Sequence, residues 1–255
     1  MIPVIIPSYK KEEQLEKCIA HLKNQTAEVE IFIRDNSVDN IYFTAAVNEG
    51  IKKYLNQNCD YIIILNQDMY LQPNAVEEMI KFMDAHPQCG IGAPLQLHDE
   101  NPNFVICAGG LQAFPFGKHL HGTLSEFTQD QQIFWANGAC MIFRKKMIQE
   151  IGLLDKNFVF LGSDSDYCFT ARSRGWQIWT IASAKGIHEY GASGAGADAK
   201  TDMLKINDML YFGKKWLTGE VYKKLSCEGQ NCTTETIDSI MTQLENAKAQ
   251  LTNVE

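Results

Sequence analysis

Between Ile2 and Pro94 the chain alternates short, β-rich apolar runs with segments whose apolar residues recur every three or four positions. That is the pattern of βαβ units feeding a parallel sheet. "IPVIIP" predicts a first strand, and Glu12–Asn24, with Leu15, Ile19 and Leu22 on one face, a helix. "VEIFIRD" predicts a second strand, Ala45–Leu55 a second helix and "YIIIL" a third strand. Pro73 stands where the first turn of a helix tolerates a missing N–H, and "NAVEEMIKFMDAH" follows with Ala75, Met79 and Phe82 at helical spacing. "CGIGAP" predicts a fourth strand.

From Leu95 to Ile133 the pattern loosens into a stretch rich in Pro, Gly and His that reads as an irregular insertion. Order returns with "FWANGACMIFRKK", a strand running into a helix at Lys146–Ile151. The acidic "FLGSDSDYCFTARSRG" and a strand "WQIWTI" come next. A Gly/Ala-rich segment, "EYGASGAGADAKT", reads either as a lid that orders over a bound nucleotide or as a plain linker. Helices are predicted at Asp202–Leu217 and Thr233–Leu251, and no internal repeat is evident.

Composition narrows the class. With 45% hydrophobic and 21% charged residues, the 255-residue chain can bury a core and is not of disordered type. A formal charge of −8 argues against capture of nucleic acid. No apolar run approaches the roughly 20 residues that span a bilayer. "MIPVIIPSYKK" puts its apolar run before its lysine pair, unlike a secretory signal. The eight cysteines are scattered without a C-x-x-C pair and read as reduced thiols of a cytoplasmic protein. Cys227 and Cys232 are the one close pair, read as loop thiols with a disulfide or weak metal site as the alternative.

In a parallel α/β sheet the ligand crevice lies beyond the carboxyl ends of the strands. That rule brings together Pro7, Ser8 and Tyr9, then Asp35, Asn36 and Ser37, then Asn66, Gln67 and Asp68. No glycine-rich turn follows the first strand and no G-x-x-x-x-G-K-[ST] occurs, which removes the dinucleotide and P-loop readings. A nucleotide held by strand ends and a hard divalent cation remains, with Asp68 suited to Mg²⁺ or Mn²⁺ and His188 able to complete the sphere. A turn-forming Asp68 and a core His188 are the alternatives.

Several segments in order, from Ile2 to about Trp216, are similar to those of family 2 GT-A glycosyltransferases, the inverting kind. "VIIPSYKKEEQLEKCIAHL" resembles the opening strand and helix, "IFIRDNSVDN" the second nucleotide-binding segment, and "AAVNEGIKKYL" the helix after it. "YIIILNQDMYLQPNAVEEM" resembles the strand carrying the D-x-D metal motif, here Asn66-Gln67-Asp68 with Asn in the first acidic place. "WANGACMIFRKKMIQEIGLLDKNFVF" with "GSDSDYCFTARSRGWQI" is similar to the acceptor-side block. Ser163 there stands where the family has Glu, before Asp164, Ser165 and Asp166.

The resemblance implies a GT-A fold: a Rossmann-like, mostly parallel central sheet flanked by helices, with C-terminal helices. Its donor half would be residues 1–95, its acceptor and catalytic half 96–200, and a C-terminal helical segment 201–255. It implies a rhamnosyltransferase-like bacterial enzyme of polysaccharide or glycan assembly using a UDP- or dTDP-linked sugar. The acceptor would be a glycan or lipid-linked glycan, in the latter case with peripheral contact at the inner face of the membrane through the Leu95–Ile133 stretch or the C-terminal helices. Asp35 would bind base or ribose with Pro7, Tyr9 and Asn48 beside it. Asp68 and His188 would hold Mn²⁺ or Mg²⁺, and Asp164 would be the general base. Asp166 would contact sugar or acceptor, or cap the helix that starts there. Trp135 and Asn137 read as core or as part of a sugar platform. A non-catalytic nucleotide-sugar or glycan-binding module and a sugar nucleotidyltransferase are the rival functions.

Overall fold

The computed structural model describes residues 1–111, 119–189, 199–217 and 234–252. The candidate lid between Glu189 and Thr201 lies largely outside them, as do Cys227 and Cys232.

The strands are β1 (Ile2–Ser8), β2 (Val29–Asp35), β3 (Tyr61–Leu65), β4 (Met69–Leu71), β5 (Cys89–His98), β6 (Phe104–Cys107), β7 (Gly122–Thr123), β8 (Gln131–Ile133), β9 (Cys140–Arg144) and β10 (Gln177–His188). The α-helices are α1 (Glu12–Lys23), α2 (Tyr42–Tyr54), α3 (Ala75–Ala85), α4 (Lys145–Ile151), α5 (Ser163–Ser173), α6 (Ala199–Phe212) and α7 (Thr234–Thr252), with a π-helical turn at Gly213–Leu217. The main sheet has the order β2-β1-β3-β9-β5-β10-β4. β2, β1, β3, β5 and β10 run one way; β9 and β4 run the other.

Alternation along the central strands divides the core in two. Val4 and Ile6, Ile63 and Leu65, and Cys140 and Ile142 face α1 and α3, packing on Leu22, Val76, Met79 and Phe82. Ile5, Ile62, Ile64, Met141 and Phe143 face the other way, onto Val47 and Ile51 of α2, Met147 of α4, Phe169 of α5 and Phe212 of α6. All five residues of β3 are buried. A strand covered on both faces therefore reads as an unbroken apolar run. At roughly 1.5–3 kcal/mol per buried large apolar side chain, β3 is a main anchor of the sheet.

The Leu95–Ile133 stretch is not the irregular insertion its composition suggests. β5 continues unbroken to His98, β6 pairs with it antiparallel, and β8 pairs with β10. A small separate core of Leu95, Leu97, Val105, Ala108 and Ala182 lies beneath. These strands are short and interrupted by polar residues, so their periodicity is too brief to stand out. β10 is also twice the length of "WQIWTI", passing an irregularity between Ile181 and Lys185 to end at His188.

The C-terminal elements are locked to the loop before α5. Asp208 of α6, buried, accepts hydrogen bonds from the N–H groups of Val159 (3.1 Å), Phe160 (2.6 Å) and Leu161 (2.9 Å). Lys215 bridges Asp155 (2.9 Å) and Asp166 (2.8 Å), and Trp216 Nε1 donates to Asp166 Oδ1 at 2.6 Å. Asp166 is buried and Lys215 exposed, so solvent weakens the pair, yet removing Lys215 leaves a buried carboxylate without its cation. Lys215→Met is accordingly expected to cost about 2 kcal/mol in urea unfolding, less than for a fully buried pair. A loss below about 1 kcal/mol would show that the pair does not hold this segment in place.

Candidate active site

The strand ends place the predicted residues at one edge of the sheet, but not with one role each. After β1 the chain turns through Lys10 (φ 51°) and Lys11 (φ 53°), both in the left-handed region that non-glycine residues avoid. Gln67 holds that turn: its Oε1 accepts from Tyr9 N at 2.7 Å and its Nε2 donates to Lys10 O at 3.0 Å. Gln67 is thus a brace for the first loop. Pro7 is half-buried and Tyr9 exposed beside it, its ring 5.0 Å from Lys10 Nζ. Asp35 is exposed at the end of β2, where its carboxylate accepts from Ser37 N at 2.8 Å. Hydrogen bonds from the Ser37 side chain and backbone hold the Asp35 carboxyl below its ordinary range.

Asn48 has turned away from this edge. It makes a closed pair with the backbone of Leu154, donating to its carbonyl at 2.8 Å and accepting from its N–H at 3.0 Å. Its buried amide joins α2 to the loop after α4.

Asp68 lies in the turn between β3 and β4 and is buried. β4 runs antiparallel to the end of β10, with Met69 opposite His188. Glu189 N donates to the Asp68 carbonyl at 3.0 Å, closing the junction. His188 Nε2 stands 3.6 Å from Asp68 Oδ1, and both residues are buried. The other ring nitrogen, Nδ1, is 2.9 Å from Gln96 Oε1, an acceptor, so Nδ1 carries the hydrogen. In the neutral ring the Nε2 lone pair then faces Asp68.

These two donors suit a hard cation. Their 3.6 Å separation is less than twice the roughly 2.1 Å ligand distance of such an ion, so both can reach one. Among the described residues no group of three or more His, Cys, Asp or Glu is assembled for a metal. A cation that takes one or two protein ligands and completes its shell from phosphate oxygens and water fits that set. The six described cysteines are buried and free; burial pushes Cys18, Cys89 and Cys107 up to about 12, leaving them protonated and inert.

Asp164, at the start of α5, sits across from the loop before β9. Its Oδ2 accepts from Gly138 N at 2.8 Å and its Oδ1 from Ser165 N at 2.7 Å. A Cβ on residue 138 would stand 3.2 Å from that Oδ2, so glycine leaves the carboxylate its place. Burial pushes the Asp164 carboxyl up, opposed by the N–H groups of Gly138 and Ser165 and by the nearby His119. Burial holds His119 down, with Asp164 opposing and His188 reinforcing.

The polar groups between the two acids are continuous. Gln96 Nε2 donates to Asn137 Oδ1 at 3.2 Å, and Asn137 Nδ2 lies 3.5 Å from His119 Nε2. Asn137 Oδ1 also accepts from Ala139 N at 2.9 Å. Trp135 is buried with its indole against Gly110, where a Cβ would meet the ring at 2.4 Å, and the His119 ring lies 4.9 Å away, tilted by 53°. Asp166 is the residue drawn elsewhere. Buried on α5, it serves the Lys215 and Trp216 contacts.

Gln96 and His119 are not legible in the sequence because both lie in the Leu95–Ile133 stretch, whose composition reads as an insertion. The one signal was a Gln flanked by leucines in "PLQL", a polar residue in a strand whose neighbours are all apolar.

The architecture is a GT-A fold. Its sheet and flanking helices superpose on GalNAc-T7 solved with UDP, GalNAc and Mn²⁺ (TM-score 0.64, 11% identity, covering 96% of this chain and 54% of that one). They also superpose on TarS of S. aureus (TM-score 0.56, 12% identity, covering 96% and 43%). Residues 42–193 match the family described as "Glycosyltransferase like family 2", and the chain belongs to that family. It is also similar to a probable glucomannan 4-beta-mannosyltransferase 4 of Oryza sativa subsp. japonica, 25% identical over 148 residues. That similarity spans 57% of this chain and 26% of the plant protein, so the chain matches about a quarter of that relative's length.

Proposed function

We propose that the protein transfers a sugar from a nucleoside-diphosphate donor to a hydroxyl acceptor with inversion at the anomeric carbon. The observation that carries this reading is the pairing of Asp68–His188 with Asp164, linked by the His188–Gln96 and Gln96–Asn137 hydrogen bonds and then through the backbone of Asn137–Gly138 to Asp164. Single displacement needs a carboxylate to accept the acceptor's proton and a separate cationic element at the departing diphosphate.

Asp68 and His188 would hold Mn²⁺ or Mg²⁺, whose charge stabilises the diphosphate leaving group. The GalNAc-T7 neighbour was solved with Mn²⁺ and UDP, which supports a divalent cation and a nucleoside-diphosphate donor. Asp35, with Pro7 and Tyr9, lines the nucleoside end, and Gln67 keeps the turn beside it in shape. Trp135 and Asn137 flank the sugar. Asp164 takes the hydroxyl proton, and its two N–H partners fix which oxygen lobe faces the acceptor. A UDP- or dTDP-linked donor, a glycan or lipid-linked acceptor and a role in bacterial polysaccharide assembly, as in the rhamnosyltransferase-like branch, complete the proposal. Among the described residues no helix is long and apolar enough to cross a membrane.

Incubation with a panel of UDP- and dTDP-sugars and Mn²⁺ tests the reaction class. Release of nucleoside diphosphate supports transfer, whereas release of pyrophosphate or tight binding without turnover rejects it. The Asp164 environment adds a pH signature. Because burial raises this carboxyl, the base should be ionised only above a pKa higher than that of a free aspartate. Activity is therefore expected to fall as pH drops through that raised pKa. A profile flat down to the ordinary aspartate range would remove Asp164 from the proton transfer.

A further inference from the structure

Gln96 touches both ends of the candidate site although it reaches neither substrate nor reacting atom in the proposed chemistry. It is 1% exposed, near the end of β5, with both polar atoms engaged on different elements. Oε1 accepts from His188 on β10, and Nε2 donates to Asn137 in the loop whose next residue, Gly138, holds Asp164. Resting on the functional reading above, we propose that Gln96 is a positioning residue. It fixes the Nδ1–H tautomer of His188, so that Nε2 faces Asp68, and at the same time sets the Asn137–Gly138 loop against Asp164.

Neither contact is easily replaced. A buried amide that loses a partner leaves an unsatisfied polar group, which disfavours the arrangement that created it. Asn137 cannot simply flip its amide to suit a changed neighbour, because its Oδ1 also accepts from Ala139 N. Groups that orient metal-binding histidines typically change metal affinity by 10- to 100-fold when removed.

Two substitutions separate the contacts. Gln96→Met, similar in length and without polar atoms, should lose both. In metal-free protein, at a pH high enough for the ring to be neutral, ¹⁵N chemical shifts should show His188 passing from a single Nδ1–H tautomer to a mixture. Mn²⁺ affinity, read by electron paramagnetic resonance with UDP present, should fall by roughly 10- to 100-fold. Gln96→Glu keeps an acceptor for the His188 Nδ1–H but cannot donate to Asn137. It should preserve the tautomer and Mn²⁺ affinity while lowering kcat, with the KM for donor little changed. Circular dichroism checks folding, and if Gln96→Met fails to fold, the tautomer and the kcat-against-KM split of Gln96→Glu decide the matter. An unchanged His188 tautomer in folded Gln96→Met, or wild-type kcat in Gln96→Glu, overturns the proposal. Wild-type protein that binds no Mn²⁺ even with UDP would instead reject the metal reading. The tautomer measurement, made without metal, would still judge Gln96 by itself.

Discussion

Asp164→Asn is expected to lower kcat for sugar transfer by about 10²- to 10⁴-fold while leaving donor affinity nearly unchanged. The amide preserves the shape of the carboxylate and can still accept from Gly138 N, which in the wild type lies 2.8 Å from Oδ2. What it loses is the capacity to take a proton. Its single oxygen can accept from only one of the two N–H groups that hold the wild-type carboxylate, Gly138 N and Ser165 N, so thermal melting belongs beside the kinetics. Steady-state kinetics with donor-binding calorimetry makes the measurement. A large loss of donor binding, or residual turnover within tenfold of wild type, would reject Asp164 as the base.

The second large effect falls at the other end of the site. Asp68→Ala should reduce Mn²⁺-dependent nucleotide binding by at least about 100-fold, more than the loss of an orienting group, because it removes a ligand itself. Binding of UDP without metal should change little, since Asp35 and the β1 loop are untouched. Asp68 is also buried, and the replacement leaves His188 facing a small void, so thermal melting belongs beside the titration. Equal metal dependence in the variant and wild type would place the cation elsewhere.

Much of this architecture could be read from the chain. β1, β3 and β9 are apolar runs covered on both faces, and helices α1 to α3 carry apolar residues at helical spacing, so each declared itself locally. The direction of β9 did not. A strand buried on both sides looks the same read forward or backward, and only its pairing with β3 and β5 makes it antiparallel. The short strands of the Leu95–Ile133 stretch were hidden for a related reason. Their residues are held by partners distant in sequence, so too little periodicity accumulates within each strand.

The site divides along the same line. Asp68, His188 and Asp164 were legible as residues of the right type beside predicted strands and helices, and the family's motif order singled them out. Residue type and spacing do not separate Asp164 from Asp166, two acids of equal character two positions apart; only the family resemblance gives them different roles. On a helix that spacing turns a side chain by roughly 200°, which sends Asp164 to Gly138 and Asp166 to Lys215 and Trp216. Nor could sequence alone show that Asn48 closes on Leu154, or that Gln96 and His119 lie between the two acids. By itself the sequence determined the doubly covered strands, the amphipathic helices and which acids stand at their ends, because burial and helical period act over a few neighbouring residues. Only the tertiary structure decided which of those acids come together in the candidate site, because that depends on strand order and register, set by contacts between residues more than a hundred positions apart.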